Sequence, residues 1–314
     1  MARAQGARAL LAAAFESTYG TSPASGFFKL PYLAGNDIDA SQELLDADLL
    51  GFGRDPLEPD LDVLNAEGSL VVPMDTESFG VWLKATFGAP TTTGAGPYTH
   101  TFATGNWSLP SLSLERQFPE VPSFEMIKGV MVNTMSWDMG RAGRAQANLG
   151  LYAQGVDDPD TSSNAGTLDE YDRYRFMQPH GAITRGGSDL ASVESVTVNY
   201  TNNLDRVEVI RNDGLIDGLD PSQAMLSGQL VARFDSLTLF NQAIAGSSAA
   251  FTFAYERGTG QSLTLSVPRV FLSRPKKPIE GPQGVRATFD WKAALQADGN
   301  PMATIALINA VESY

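Results

Sequence analysis

The chain has 314 residues, about twice the usual length of one domain, and 43% hydrophobic against 18% charged residues, a balance that supports a packed core and excludes disorder. With 22 Lys+Arg against 36 Asp+Glu the formal net charge is −14, so the average surface field repels nucleic acid and anionic membranes. Cysteine is absent, which excludes disulfides, thiolate zinc sites and thiol catalysis, and no apolar run reaches the ~20 residues needed to cross a bilayer.

At the N-terminus Arg3 and Arg8 precede a short apolar run, Ala9 to Phe15, which superficially resembles a secretory signal. Glu16 follows at once without an A-x-A site, so no signal peptide is expected. The acidic stretch from Asp37 to Glu77 has twelve acids and only Arg54 as a base, and reads as a solvated loop region. A helix is predicted from Asp75 to Gly88, with Asp75 as N-cap, Phe79, Trp82, Leu83 and Phe87 as the apolar stripe, and Gly88 at the left-handed C′ position. A second is predicted from Asp235 to Gly246, with Leu239, Ala243 and Ile244 on its stripe. Elsewhere period-two alternation predicts strands: Val196, Val198 and Tyr200; Phe251, Phe253 and Tyr255; Leu263, Leu265 and Val267. Such strands belong to antiparallel sheets with one polar face.

The two helices lie inside a longer internal match. GSLVVPMDTESF, from Gly68 to Phe79, aligns without a gap on GQLVARFDSLTL, from Gly228 to Leu239. Upstream, LLGFGRDP ending at Pro56 resembles GLIDGLDP ending at Pro221, and KLPYL around Tyr32 resembles TVNYT around Tyr200. Downstream, SLSLE at Ser111 matches SLTLS at Ser262, the run through Trp137 matches the run through Trp291, and ANLGLYA matches ATIALIN. The expectation is a duplication, with one domain over residues 1–155, a linker or surface excursion over 156–191, and an internal repeat of the first domain over 192–314. Trp137 and Trp291 are expected in equivalent packing positions.

Signals for chemistry are sparse. His100, in the strand pattern YTHTF, and His180, in a Pro–His–Gly loop, have no G-x-S-x-G or H-E-x-x-H beside them and read as structural or loop residues. The glycine pairs at Gly51 and Gly94 lack the third glycine of a dinucleotide fold and read as turns. Asp157, Asp158 and Asp160 lack EF-hand spacing and read as loop acids. Lys276 and Lys277 form the one compact basic spot, and a neighbouring acidic subunit is its sharpest candidate partner. No catalytic, cofactor or metal site residue is singled out, and no cofactor is expected.

The run EGSLVVPMDTESFGVWLKATFG, followed by GPYTHTF, LPSLSLE and GVMVN, resembles the tail tube proteins of long, non-contractile phage tails, most specifically from Phe15 to Gly155. The resemblance implies a mainly β fold, with β-sandwich or small barrel units each flanked by one short helix. It also implies rings that stack into a tube of acidic lumen, long loops that bridge successive rings, and a tape-measure protein inside. The implied location is the virion tail, assembled in the host cytoplasm, with tail terminator and distal tail proteins as partners and DNA passing through without specific binding. Two units per chain lead to the expectation of a homotrimeric ring with pseudo-six-fold symmetry, in which the 34 residues from Val156 to Asp189 reach on the order of 100 Å if extended. A non-polymerising carbohydrate-binding or adhesin-type sandwich is the rival reading, and a hydrolase on a β-scaffold is a third.

Overall fold

The computed structural model describes residues 3–190, 192–275 and 284–314, and it is mainly β with two short helices. The first part of the chain carries strands β1 (Leu10–Phe15), β2 (Phe28–Lys29), β3 (Asp39–Leu45) and β4 (Asp60–Pro73), then helix α1 (Phe79–Phe87). After it come β5 (Thr91–Thr93), β6 (Tyr98–Ala103), β7 (Leu112–Phe118), β8 (Ser123–Met139) and β9 (Gln146–Ala153). Next are β10 (Gly155–Val156), β11 (Asp169–Glu170), β12 (Gly181–Arg185), β13 (Ser188–Asp189), β14 (Val193–Thr201), β15 (Asp205–Val207), β16 (Gly218–Asp220) and β17 (Met225–Arg233). Helix α2 (Thr238–Ala245) precedes β18 (Ala249–Glu256), β19 (Ser262–Leu272), β20 (Arg286–Ala293) and β21 (Thr304–Asn309).

The pairings of the first half recur in the second. In the first, β1 pairs with β7, β7 with β8, β8 with β9, and β9 with β4. In the second, β12 pairs with β18, β18 with β19, β19 with β20, and β20 with β17. Even the irregularity is the same: Leu112 faces Val130 and Leu114 faces Ile127, while Ala249 faces Val270 and Phe251 faces Val267, one bulge at the same step of each ladder. Gly68 faces Leu151 as Gly228 faces Trp291. At both glycines a Cβ would overlap neighbouring backbone, that of Ile38 just before β3 in one case and of Thr197 in β14 in the other, so the close approach requires a residue without a side chain there.

Beyond the helices the sequence match sits one strand out of step. β7 takes the place of β18, β8 of β19 and β9 of β20, so Leu151, not Trp137, stands where Trp291 does; Trp137 faces Ala147 and Val198. Likewise the strand flanking Gly68 brings up Ile38 rather than Tyr32, where Val198 flanks Gly228. The reason is physical. The β5–β6 hairpin stands between α1 and β7, whereas α2 runs into β18 after three residues, and period-two alternation looks alike in every half-buried strand.

The segment expected to be a linker is bound along its length. β11 pairs in parallel with β2, Phe176 is fully buried, and β12 pairs with β18 through five residues, from Gly181 opposite Tyr255 to Arg185 opposite Phe251.

Two seams join the halves. In one, the C-terminal part of β8 pairs with β14, from Thr134 opposite Thr201 to Met139 opposite Val196. Buried Asn202 tightens this seam by donating to the carbonyls of Thr86 at 3.0 Å and Val132 at 2.9 Å while accepting from the Tyr200 hydroxyl at 3.0 Å. In the other, β21 pairs with β6, from Thr304 opposite Ala103 to Asn309 opposite Tyr98. The largest core cluster accordingly spans both halves, joining Leu70, Trp82 and Leu149 to Phe253, Leu265 and Trp291.

Helix α1 begins at Phe79, four residues after the expected cap, yet Asp75 organises its entry. The buried carboxylate accepts from the backbone N–H groups of Glu77 at 3.0 Å and Phe79 at 3.1 Å and from the Ser78 hydroxyl. Burial pushes its pKa up against the pull of those hydrogen bonds. The helix is covered nearly all round rather than on one stripe: eight of its nine residues are buried, and Phe79 and Leu83 line one small cavity with Phe253, Tyr255, Leu265 and Ile305 of the second half. Helix α2 is less deeply buried: Leu239 and Gln242 are its buried residues, Ile244 is 53% exposed, and Asp235 is exposed and, among the described residues, accepts no capping bond to the helix. Gly246 does close α2 in the left-handed conformation, with φ 60° and ψ 21°.

Asp75→Ala leaves two buried N–H groups and a hydroxyl unpartnered, and is expected to cost about 2 kcal/mol in denaturant unfolding. Asp75→Asn keeps one acceptor oxygen and should recover at least half of that; equal losses for both would contradict this account of the helix entry.

Candidate functional site

The histidines lie in structural settings. His100 is fully buried, with Nε2 2.8 Å from the Val311 carbonyl and Nδ1 2.8 Å from the Thr92 hydroxyl. A carbonyl only accepts, so Nε2 carries the proton and Nδ1 accepts from Thr92. The ring edge packs on Tyr314 at 4.8 Å, and Tyr314 in turn donates to the Glu77 carbonyl at 2.6 Å and accepts from Asn309 at 2.6 Å. This polar knot pins the chain's last residues to the start of α1, where a Cβ on Gly80 would overlap the Tyr314 ring. His180 accepts at Nδ1 from the Met177 N–H, 3.2 Å away, in a single 3-10 turn.

The other candidates are also accounted for. Gly51, Gly53, Gly94 and Gly96 all have φ between 95° and 113°, as turns require. Asp157 pairs with Lys128 at 2.6 Å, and Asp160 accepts from Asn164 at 3.1 Å. Among the described residues no three His, Asp or Glu side chains are grouped to hold a metal ion. Lys276 and Lys277 lie outside the described residues.

What stands out is surface. β3 and β4 form a long arm whose connecting loop runs from residue 46 to 59, and β15 and β16 form a second arm beside it. Nine of the sixteen large apolar residues exposed among the described residues sit on these arms: Leu44, Leu45, Leu49, Leu50, Phe52, Leu61, Val63, Val209 and Ile210. From Asp39 to Glu67 the first arm also carries nine acids and one base. An isolated monomer has no use for such concentrated apolar exposure, which is how an assembly surface is recognised. Sequence reading saw the acids here and not the leucines' exposure, since alternation alone does not tell an arm from a core strand.

The arms are tied at their roots. Arg206 on β15 pairs with Glu67 on β4 while its guanidinium lies 4.4 Å over the Tyr152 ring. On the outer side of the first arm, Arg116 bridges Asp39 at 3.0 Å and Glu125. Burial works against Asp39's charge, but the bonds from Arg116 and the Ala40 N–H hold its carboxyl below the usual range. β3 pairs only with β4, so its other edge is open among the described residues.

The chain is thus β-rich, with a main core shared by both halves, exposed apolar arms and a strand edge open among the described residues. The family model described as phage tail tube protein matches residues 6–293, and the chain belongs to that family. A search of curated proteins gave no match. Membership makes the chain a structural component of a phage tail.

Arg206→Ala is expected to leave global stability within about 1 kcal/mol, since the pair is partly exposed. It should nevertheless speed amide exchange in β15 and in the 60–67 portion of β4. Unchanged exchange in both segments would show that the arms do not depend on this tie.

Proposed function

We propose that the chain assembles into stacked rings that form the tail tube and serve as a conduit for DNA during ejection, with no catalytic role. Each chain supplies two tube units, fused by the β8–β14 seam, and three chains close a homotrimeric ring of pseudo-six-fold symmetry. The first unit covers about residues 1–155. The second starts near Gly181 instead of residue 192, because β12 stands to β18 as β1 stands to β7.

One observation carries this reading. Within the chain, β14 gives one edge to β17 and the other to β8 of the first half. Its counterpart, β3, gives one edge to β4 and keeps the other open among the described residues. A second copy pairing at that edge repeats the internal seam between chains, and repetition by one rotation closes a ring with no edge left over. The arms are then the long loops between rings, and their acids fit a tube that must not trap its cargo. DNA carries one charge per ~1.7 Å of axis, so a wall of the same sign offers it no binding wells. Tape-measure, tail terminator and distal tail proteins complete the tail, which is assembled in the host cytoplasm before joining the virion.

Electron microscopy of the purified chain should show rings or tubes; a monomer at every concentration would overturn the reading. Ala40→Pro gives a sharper test. The Ala40 N–H bonds only the adjacent Asp39 carboxylate, at 2.8 Å, so proline there blocks the open edge without removing a ladder bond. The variant should fold, with an unchanged circular dichroism spectrum, and fail to form tubes. Normal tubes from it would exclude β3 from the ring contact.

A further inference from the structure

The two ends of the β4–β9 ladder carry opposite surfaces. The ladder runs from Ala66 opposite Ala153 to Pro73 opposite Gln146, roughly 23 Å at ~3.3 Å per residue. Past its first end projects the β3–β4 arm, and past its second lie the end of β8 and the turn that leads into β9. Of the arm's nine acids, Asp39 and Glu67 at the root are paired, while the seven from Glu43 to Asp62 form no ion pair among the described residues. The run ELLDADLL, from Glu43 to Leu50, sets two exposed leucine pairs around Asp46 and Asp48.

At the other end, beside Met139, a cleft of about 490 Å³ opens, within the size range of binding sites. Met139, Ile183, Leu190 and Val193 give it an apolar floor. Its rim is basic: Arg141 and Arg286 line it, and Glu194 is the one carboxylate among its lining residues. Glu194 is shared, meeting the Nε of Arg233 through one oxygen and the Nε of Arg286 through the other, both at 2.7 Å. Each guanidinium thus uses one of its five N–H donors, and no other donor of either is bound among the described residues. Arg141 is exposed and has no ion pair among the described residues. Three arginines around one carboxylate, over an apolar floor, fit a chain segment that brings both carboxylates and leucines.

We propose that this cleft receives the arm segment from Glu43 to Leu50 of a second copy in the adjoining ring, with Asp46 and Asp48 on the arginines and a leucine pair on the floor. The contact rests on the stacked-ring reading above and names what the arm grips. The two surfaces lie at opposite ends of one ladder, so copies stacked in the same orientation present one to the other at every step. Such a heterologous contact does not close on itself and continues as an open stack. A net charge of −14 per chain drives stacked copies apart, and the arginine rim offsets that repulsion where they touch.

Charge exchange tests the pairing. Arg141→Glu with Arg286→Glu in the cleft, or Asp46→Arg with Asp48→Arg in the arm, should each leave rings intact by electron microscopy and shorten tubes at least about tenfold, since like charges then face each other. The chain carrying all four substitutions should regain its tubes. All four side chains are exposed, so folding is not at stake. A second measurement uses the absence of native cysteine and the open space around Gly140, where a Cβ meets nothing within 4 Å. Chains carrying Ala47→Cys and Gly140→Cys, mixed, assembled and treated with a short bismaleimide, should yield a mixed dimer that neither yields alone. Tubes of normal length from the cleft variant, no recovery in the fourfold variant, or tubes without the mixed dimer overturn this contact and leave the ring reading standing. A wild-type chain that forms no rings overturns both.

Discussion

The pairing of β8 with β14 is the constraint on which the rest of the molecule depends. β8 is 17 residues long, enough to serve as a strand of one sheet with β7 and β10 and then of another with β9 and β14. Because its second part is shared, the two halves cannot separate without exposing one edge of each. Burial follows from that sharing: α1 lies between first-half and second-half side chains, and eight of its nine residues are buried, where α2 buries Leu239 and Gln242. Asn202 and the His100–Tyr314 knot satisfy the polar groups that such a closure would otherwise strand in the core.

Much of this was legible in the sequence, and the failures have a common cause. The strands at Val196, Phe251 and Leu263, both helices, and the mainly β class follow from periodicity alone. Gly68 and Gly228 were recognisable as a pair because close strand approach leaves no alternative to glycine at that spot. The equation of Trp137 with Trp291 did not hold, because alternation reports which face is buried and not which strand it belongs to, so the match slid by one strand past β5–β6. The segment from residue 156 to 191 looked like a linker for its turn formers and charge, yet Phe176 and β12 are held by partners distant in sequence. Cover of a helix by a remote half, and a leucine's exposure on an arm, are tertiary facts that no local pattern encodes.

Seen this way, the scarcity of chemical motifs and the abundance of apolar surface have one origin. The histidines serve packing, the acids of the described loops are held in pairs or solvated, and the exposed leucines gather where two arms meet. A structural tail protein that works through surfaces distributes its function over edges and faces, which leave no signature of a few residues. The family match over residues 6–293 spans both halves of the chain.

If the internal seam is the template for the contact between chains, ring composition follows from it. The most direct measurement is a cryo-microscopy reconstruction of assembled tubes at a resolution that traces the chain. The account predicts three chains per ring, with the neighbour paired at β3 as β8 pairs with β14. Six full-length chains per ring, or a second half placed outside the barrel as decoration, would contradict it.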